Sequence, residues 1–126
     1  MRHLLRSHHP VRHIKSFKYA FEGIFHALLH EPNFRIQISI AILSIGLGFY
    51  YKISTTEWGI LILSLGALLS AEMLNTLVEE FIDIFIKDQR PGVKVIKDIA
   101  AGFVLLTAVT TSVIIFLIFY QTVLGQ

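Results

Sequence analysis

Five acidic or amide side chains interrupt an apolar run in AEMLNTLVEEFID, residues 71–83: Glu72, Asn75, Glu79, Glu80 and Asp83. On a helix turning about 100° per residue, Glu72, Asn75, Glu79 and Asp83 fall within an arc of about 80°, with Glu80 to one side. A soluble helix turns such a stripe to water. In lipid the same stripe needs a reason, because an ionisable side chain near the bilayer centre costs about 2.5–3.5 kcal/mol on insertion scales. Glu72 then reads either as a general base, a role suited to a carboxylate stripped of water, or as a paired structural residue in a helix bundle. Asn75, one turn on, can orient that base or a phosphate oxygen, or it can hold two helices together.

Whether the stripe lies in lipid is decided by the elements around it. The chain has 126 residues, enough for one domain (1–126), with 54% hydrophobic and only 16% charged residues and a mean hydropathy of +0.65. Soluble domains carry about 25% charged residues. Residues 99–120 contain no charge, and a helix over them is about 33 Å long, matching the roughly 30 Å hydrocarbon core. Residues 34–51 hold a single charge, Arg35, in the first turn, where a long side chain can snorkel to the surface. Trp58 to Ala71 is uncharged and reaches full span length only by including the polar stripe. The expected fold is therefore an all-α membrane protein with transmembrane helices at 34–51, 57–86 and 95–122.

Ahead of these spans, residues 1–13 form a basic arm rich in histidine, and no acidic residue precedes Glu22. No signal-peptide core and cleavage pattern follows the charges, so the arm reads as uncleaved and cytoplasmic. Ile14, Phe17, Phe21, Ile24, Phe25 and Leu28 then recur at helical spacing among Lys15, Lys18, Glu22 and His26, the pattern of an amphipathic helix over 14–31 lying on the membrane surface. Pro32 separates it from the first span. Thr55 or Thr56 is expected to cap the second span, Pro91-Gly92 to turn the loop after it, and Gly102 to allow close helix packing. Lys87, Arg90, Lys94 and Lys97 outnumber Lys52 of the first loop, which places the N-terminus and the 87–97 loop in the cytoplasm and the C-terminus outside. In that orientation Glu72 lies in the inner leaflet, about 22 Å along the span, with Glu79 and Asp83 at the surface, Glu79 about 33 Å along.

Carboxylates at such a boundary suit Mg²⁺, which takes one or two of them and completes its shell with phosphate oxygens and water. Glu79 and Asp83 are candidates, and Glu31, before the first span, can supply a second carboxylate; the plain alternative is that these acids are only solvated. Lys97, beside Asp98 in VIKDIAAG, can neutralise phosphate charge or serve as an ordinary interfacial lysine. The basic clusters suit anionic lipid or ATP rather than nucleic acid. The chain has no cysteine, which excludes disulfides, thiolate catalysis and Cys-based metal sites. His26 and His30 have metal-compatible i, i+4 spacing, but the polar face of a surface helix accounts for them. The ensemble points to phosphoryl transfer at the inner membrane surface. Neither GxxxxGK[ST] nor a protein-kinase signature is present, so the site must be assembled from helices. Two other classes fit part of the pattern: a small transporter or ion-conducting subunit using Glu72 as a proton or cation site, and a non-catalytic subunit whose stripe binds a partner helix.

HALLHEPNFR, AEMLNTLVEEFID and KDIAAGFVLL, in this order, resemble the small prokaryotic integral-membrane diacylglycerol kinase family, which includes the undecaprenol kinases. The resemblance runs from about Arg12 to Tyr120 and implies transfer of the γ-phosphate of MgATP to a lipid hydroxyl. By position, Glu72 matches the family's catalytic base and Asn75 the amide beside it. Glu31 and Glu79 match the carboxylates that hold Mg²⁺ on the ATP phosphates, Arg12 and Tyr19 match nucleotide contacts, and Lys97 with Asp98 matches the pair facing the phosphates and adenine. Asp88 and Arg90 stand where many relatives have a Glu and a His in the cytoplasmic loop, a departure from the pattern at a nucleotide contact. The family's homotrimers share sites between subunits, which agrees with the inability of three short spans to enclose two substrates alone. KDIAAG followed by VLL is closer to the undecaprenol branch than to the diacylglycerol branch.

Overall fold

The computed structural model describes residues 10–87 and 90–125, with side chains from residue 14 onward. Within them the chain forms four α-helices: α1 Pro10–His30, α2 Pro32–Tyr51, α3 Thr55–Phe85 and α4 Pro91–Leu124. The last three are each long and apolar enough to cross a membrane.

Local chemistry sets the breaks between them. Pro32 and Pro91 stand in the first turns of α2 and α4, where a missing N–H costs nothing and the fixed φ suits a helix. Pro91-Gly92 thus opens α4 instead of turning the loop before it, contrary to the sequence expectation. The α1–α2 junction is closed by Arg35, whose Nη1 donates to the carbonyls of Leu28 (3.2 Å) and Leu29 (2.8 Å). Those oxygens belong to the last turn of α1, which has no helical partners for them. Arg35 is therefore a cap for the preceding helix, a more specific job than snorkelling.

Between α2 and α3, Lys52 adopts a left-handed conformation with φ 53° and its N–H bonds back to Gly48 and Phe49. Ser54, not Thr55 or Thr56, caps α3. Its Oγ accepts from the Glu57 N–H, and the Glu57 carboxylate accepts from the Ser54 N–H at 2.7 Å. Ser-x-x-Glu satisfies two orphan donors reciprocally, whereas neither threonine has an acid three residues on. Close packing at this turn falls to Gly48, where an added Cβ would stand 2.8 Å from Trp58 Cη2, while Gly102 has open space around it.

The helices pack through a narrow seam. On α3 the buried residues are Leu61, Ser64, Leu65, Leu68, Ala71, Glu72 and Thr76, with Ile82 further on. That helical spacing makes one inward face, and Glu72 lies on it. Ala41, Ile53, Leu61, Leu65 and Ile118 form the apolar cluster near the α2–α3 turn, and Thr111 of α4 donates to the Ser64 carbonyl at 3.1 Å. Most other large apolar residues face outward, among them Ile42, Leu63, Leu77, Leu105 and Phe116. A water-soluble fold would bury such residues; on a membrane protein they meet lipid. With 31 and 34 residues, α3 and α4 are about 46 Å and 51 Å long, so their ends overrun a hydrocarbon core of about 30 Å. The polar turns of both helices lie at those adjoining ends.

Candidate functional site

Tertiary contacts divide the α3 stripe between different neighbours. Glu72 is 1% exposed, and its Oε2 accepts a 2.9 Å hydrogen bond from Nε2 of Gln37 on α2. Asn33, one turn earlier on α2, lines the same cavity as this carboxylate, and the charges of Glu31 and Glu79 lie close enough to act on it. Three carboxylates from α3 and the α1–α2 junction are thereby gathered in one region, though they are 41 and 7 residues apart in sequence on either side of Glu72.

Asn75 Nδ2 donates to Glu79 Oε1 at 2.9 Å, while Asn75 Oδ1 is buried without a partner. The amide orients Glu79 and leaves an acceptor oxygen beside it. Glu80, on the flank of the stripe, reaches α1 instead: His26 Nε2 lies 3.6 Å from its Oε1. His26 and His30 stack with ring centroids 4.2 Å apart, and the His30 ring bonds the His26 carbonyl, an arrangement that locks the pair against the helix rather than spreading it around an ion.

Asp83 crosses to α4, where Lys97 Nζ donates to its Oδ1 at 2.7 Å. Asp98 pairs within α4 with Lys94 at 2.6 Å. These groups, with Lys87 and Arg90, line a cavity of about 640 Å³ between the ends of α3 and α4. Its cations outnumber its acids, which suits a polyanionic ligand. A second cavity, about 220 Å³, lies among α2, α3 and α4, with Asn33, Gln37 and Glu72 at its polar side and Ile40, Leu68 and Val104 among its apolar walls. One cavity thus offers charge to a phosphate, and the other offers a carboxylate to a ligand with an apolar body.

The sequence-predicted residues are not all in one place. Glu31, Glu72, Asn75 and Glu79 are brought together, and Asp83, Lys97, Asp98 and Arg90 border the cationic cavity. Tyr19 stands on α1, 64% exposed, without a described contact to either group. Arg12 lies within α1, but its side chain is outside the described residues, as is all of Asp88. Sequence reasoning passed over Gln37 and Asn33. A glutamine inside an apolar span was the available signal, since a polar side chain in lipid needs a partner, but nothing in α2 says which partner.

The donor set fits a hard divalent cation held jointly with phosphate. Glu31 and Glu79 supply carboxylate oxygens and Asn75 Oδ1 an unsatisfied amide oxygen. Among the described residues no group of three or more His, Cys, Asp or Glu side chains converges as a metal cage. One or two carboxylates completed by substrate oxygens is the ordinary arrangement for Mg²⁺.

Comparison with known proteins agrees along most of the chain. The family model described as prokaryotic diacylglycerol kinase matches residues 18–119. An undecaprenol kinase of Bacillus subtilis (strain 168) is 37% identical over 108 residues, covering 86% of this chain and 88% of its own. A diacylglycerol kinase of Synechocystis is 29% identical over 100 residues, 79% of this chain and 57% of that protein. A diacylglycerol kinase of Helicobacter pylori is 30% identical over 91 residues, 72% and 71% of the two chains.

Proposed function

The chain belongs to the prokaryotic diacylglycerol kinase family and is a lipid kinase; from that premise we propose that it transfers the γ-phosphate of MgATP to a membrane-lipid hydroxyl with Glu72 as general base. The transporter and partner-helix readings find no support beside this membership. The observation that carries the assignment of Glu72 is its position: a carboxylate buried between α2 and α3, facing a cavity with apolar walls, with Glu31 and Glu79 nearby.

In this reading the acceptor hydroxyl enters beside Glu72 and gives its proton to the carboxylate. Its oxygen attacks the γ-phosphorus, the bond to the bridging oxygen breaks, and ADP leaves. Glu31 and Glu79 would hold Mg²⁺, and Asn75, through its hydrogen bond to Glu79, would keep that carboxylate oriented for it. Bound magnesium supplies neutralisation of phosphate charge. Lys97, Asp98 and Arg90, which border the cationic cavity, form the nucleotide side; Tyr19 of α1 is assigned to it by the family resemblance, as are Arg12 and Asp88, whose side chains lie outside the described residues. Positioning and charge neutralisation supply most of the acceleration, and the base adds about 10²- to 10⁴-fold.

α1 lies on the cytoplasmic surface of the bacterial inner membrane with Ile14, Phe17 and Phe21, all exposed, in the lipid interface. The N-terminus is cytoplasmic, and sites are shared between subunits of a homotrimer. Undecaprenol is the favoured acceptor because the relative with 37% identity, of whose length 88% is matched, is an undecaprenol kinase.

Glu72→Gln tests the base. It is expected to abolish phosphate transfer while leaving MgATP binding within about twofold, because a charge-neutral isostere removes only the proton acceptor. Near wild-type turnover in this variant would remove Glu72 from the mechanism. Incubation with labelled ATP and either undecaprenol or diacylglycerol tests the acceptor: labelled undecaprenyl phosphate without labelled phosphatidic acid is the expected result, and the reverse assigns the other lipid.

A further inference from the structure

Gln37 is an amide in a stretch of α2 whose other polar residues are only the small Ser39 and Ser44; it is 8% exposed, and it makes a side-chain hydrogen bond to Glu72 across 35 positions of sequence. Its two amide atoms are in unequal states. Nε2 donates to Glu72 Oε2 at 2.9 Å, whereas Oε1 is buried with no partner. Both residues border the 220 Å³ cavity among α2, α3 and α4. If the pair were only an adhesive between helices, the buried carbonyl oxygen would be an uncompensated loss.

We propose that Gln37 is the positioning residue for Glu72, holding the carboxylate at the cavity through Nε2 before the reaction and accepting a hydrogen bond through Oε1 from the protonated carboxyl afterwards. The chemistry of the two groups carries this. An ionised carboxylate only accepts, and so it needs the amide N–H; a carboxyl that has taken a proton donates, and so it needs the amide oxygen. A half-turn of one amide serves both states without moving either helix. The proton passes from the acceptor hydroxyl to Glu72 and no further, and Gln37 gains and loses none. A methionine or leucine at this position could pack but could do neither job. This inference rests on the assignment of Glu72 as base.

The test is steady-state kinetics of the full chain in lipid micelles with MgATP and, separately, undecaprenol or diacylglycerol, for Gln37→Met, Gln37→Glu and Glu72→Gln. Gln37→Met is expected to lower kcat by about 10- to 100-fold, the usual effect of losing a group that orients a functional side chain, with KM for MgATP within twofold. Gln37→Glu, which can share one proton with Glu72 across the same contact, is expected to recover at least a third of the lost kcat on a logarithmic scale. A wild-type kcat in Gln37→Met overturns the proposal. So do equal losses in the Met and Glu variants, or a rise in KM for MgATP as large as the fall in kcat, since those are the marks of a packing role. If Gln37→Met does not fold, Gln37→Asn replaces it: the amide is kept but withdrawn by one methylene, and the same fall in kcat is expected. Active Glu72→Gln would fail the base assignment itself, whereas inactive Glu72→Gln beside fully active Gln37→Met fails this inference alone.

Discussion

Lys97 of α4 and Asp83 of α3 meet at 2.7 Å where the polar ends of the two helices adjoin. One member of the pair is a candidate phosphate ligand and the other a candidate carboxylate for metal. Paired with each other, they cancel one another's charge at the edge of the cationic cavity. The pair is solvent-exposed, and such contacts exchange readily.

Breaking that pair from either side should therefore give unlike results. Lys97→Met is expected to raise KM for MgATP at least tenfold, because the phosphate loses a charge-assisted donor. Asp83→Asn is expected to leave KM within about threefold and thermal stability nearly unchanged, the ordinary outcome for an exposed pair. Kinetics and thermal unfolding of both variants check this; equal KM effects would assign Asp83 to the nucleotide site as well.

Glu79 receives the Asn75 amide at 2.9 Å, and the proposed Mg²⁺ site depends on that orientation. Glu79→Gln is expected to raise the Mg²⁺ concentration for half-maximal activity at least tenfold, and Asn75→Ala to raise it by a smaller factor, as is usual for outer partners of metal ligands. Chelation should abolish activity in the wild type, with recovery on adding Mg²⁺. Unaltered Mg²⁺ dependence in Glu79→Gln would remove this carboxylate from the site.

Gly48 offers a prediction about folding alone. An added Cβ would lie 2.8 Å from Trp58 Cη2 and 3.1 Å from Ile53 Cδ1, inside the α2–α3 turn. Gly48→Ala is expected to destabilise the protein by about 1–3 kcal/mol through overpacking, read as a lower Tm in detergent, with kcat unchanged at a temperature where the variant is folded. Gly102→Ala, at a position with open space, should show no such loss.

Much of the architecture was legible along the chain. Three apolar stretches announce three helices of spanning length, Pro32 marks the α1–α2 break, and the spacing of Glu72, Asn75, Glu79 and Asp83 puts them along one side of α3. These are local properties, because helical periodicity and proline stereochemistry act within a few residues. Helix ends were less legible. Ser54 capped α3 ahead of the neighbouring threonines because the reciprocal bond to Glu57 outweighed a single hydroxyl contact.

The amino-acid sequence by itself determined that Glu72, Asn75, Glu79 and Asp83 would share one helical stripe ahead of a cation-rich loop, since composition and period suffice for that. Only the tertiary structure decided the partners: Gln37 for Glu72, Arg35 for the carbonyls of Leu28 and Leu29, Lys97 for Asp83, and His26 for Glu80. The physical reason is that a contact between helices depends on their relative rotation, depth and crossing, which arise from packing along whole faces. No spacing within α3 contains that information, so a stripe that reads as one feature in sequence became, on folding, a buried carboxylate, an oriented carboxylate and an exposed ion pair.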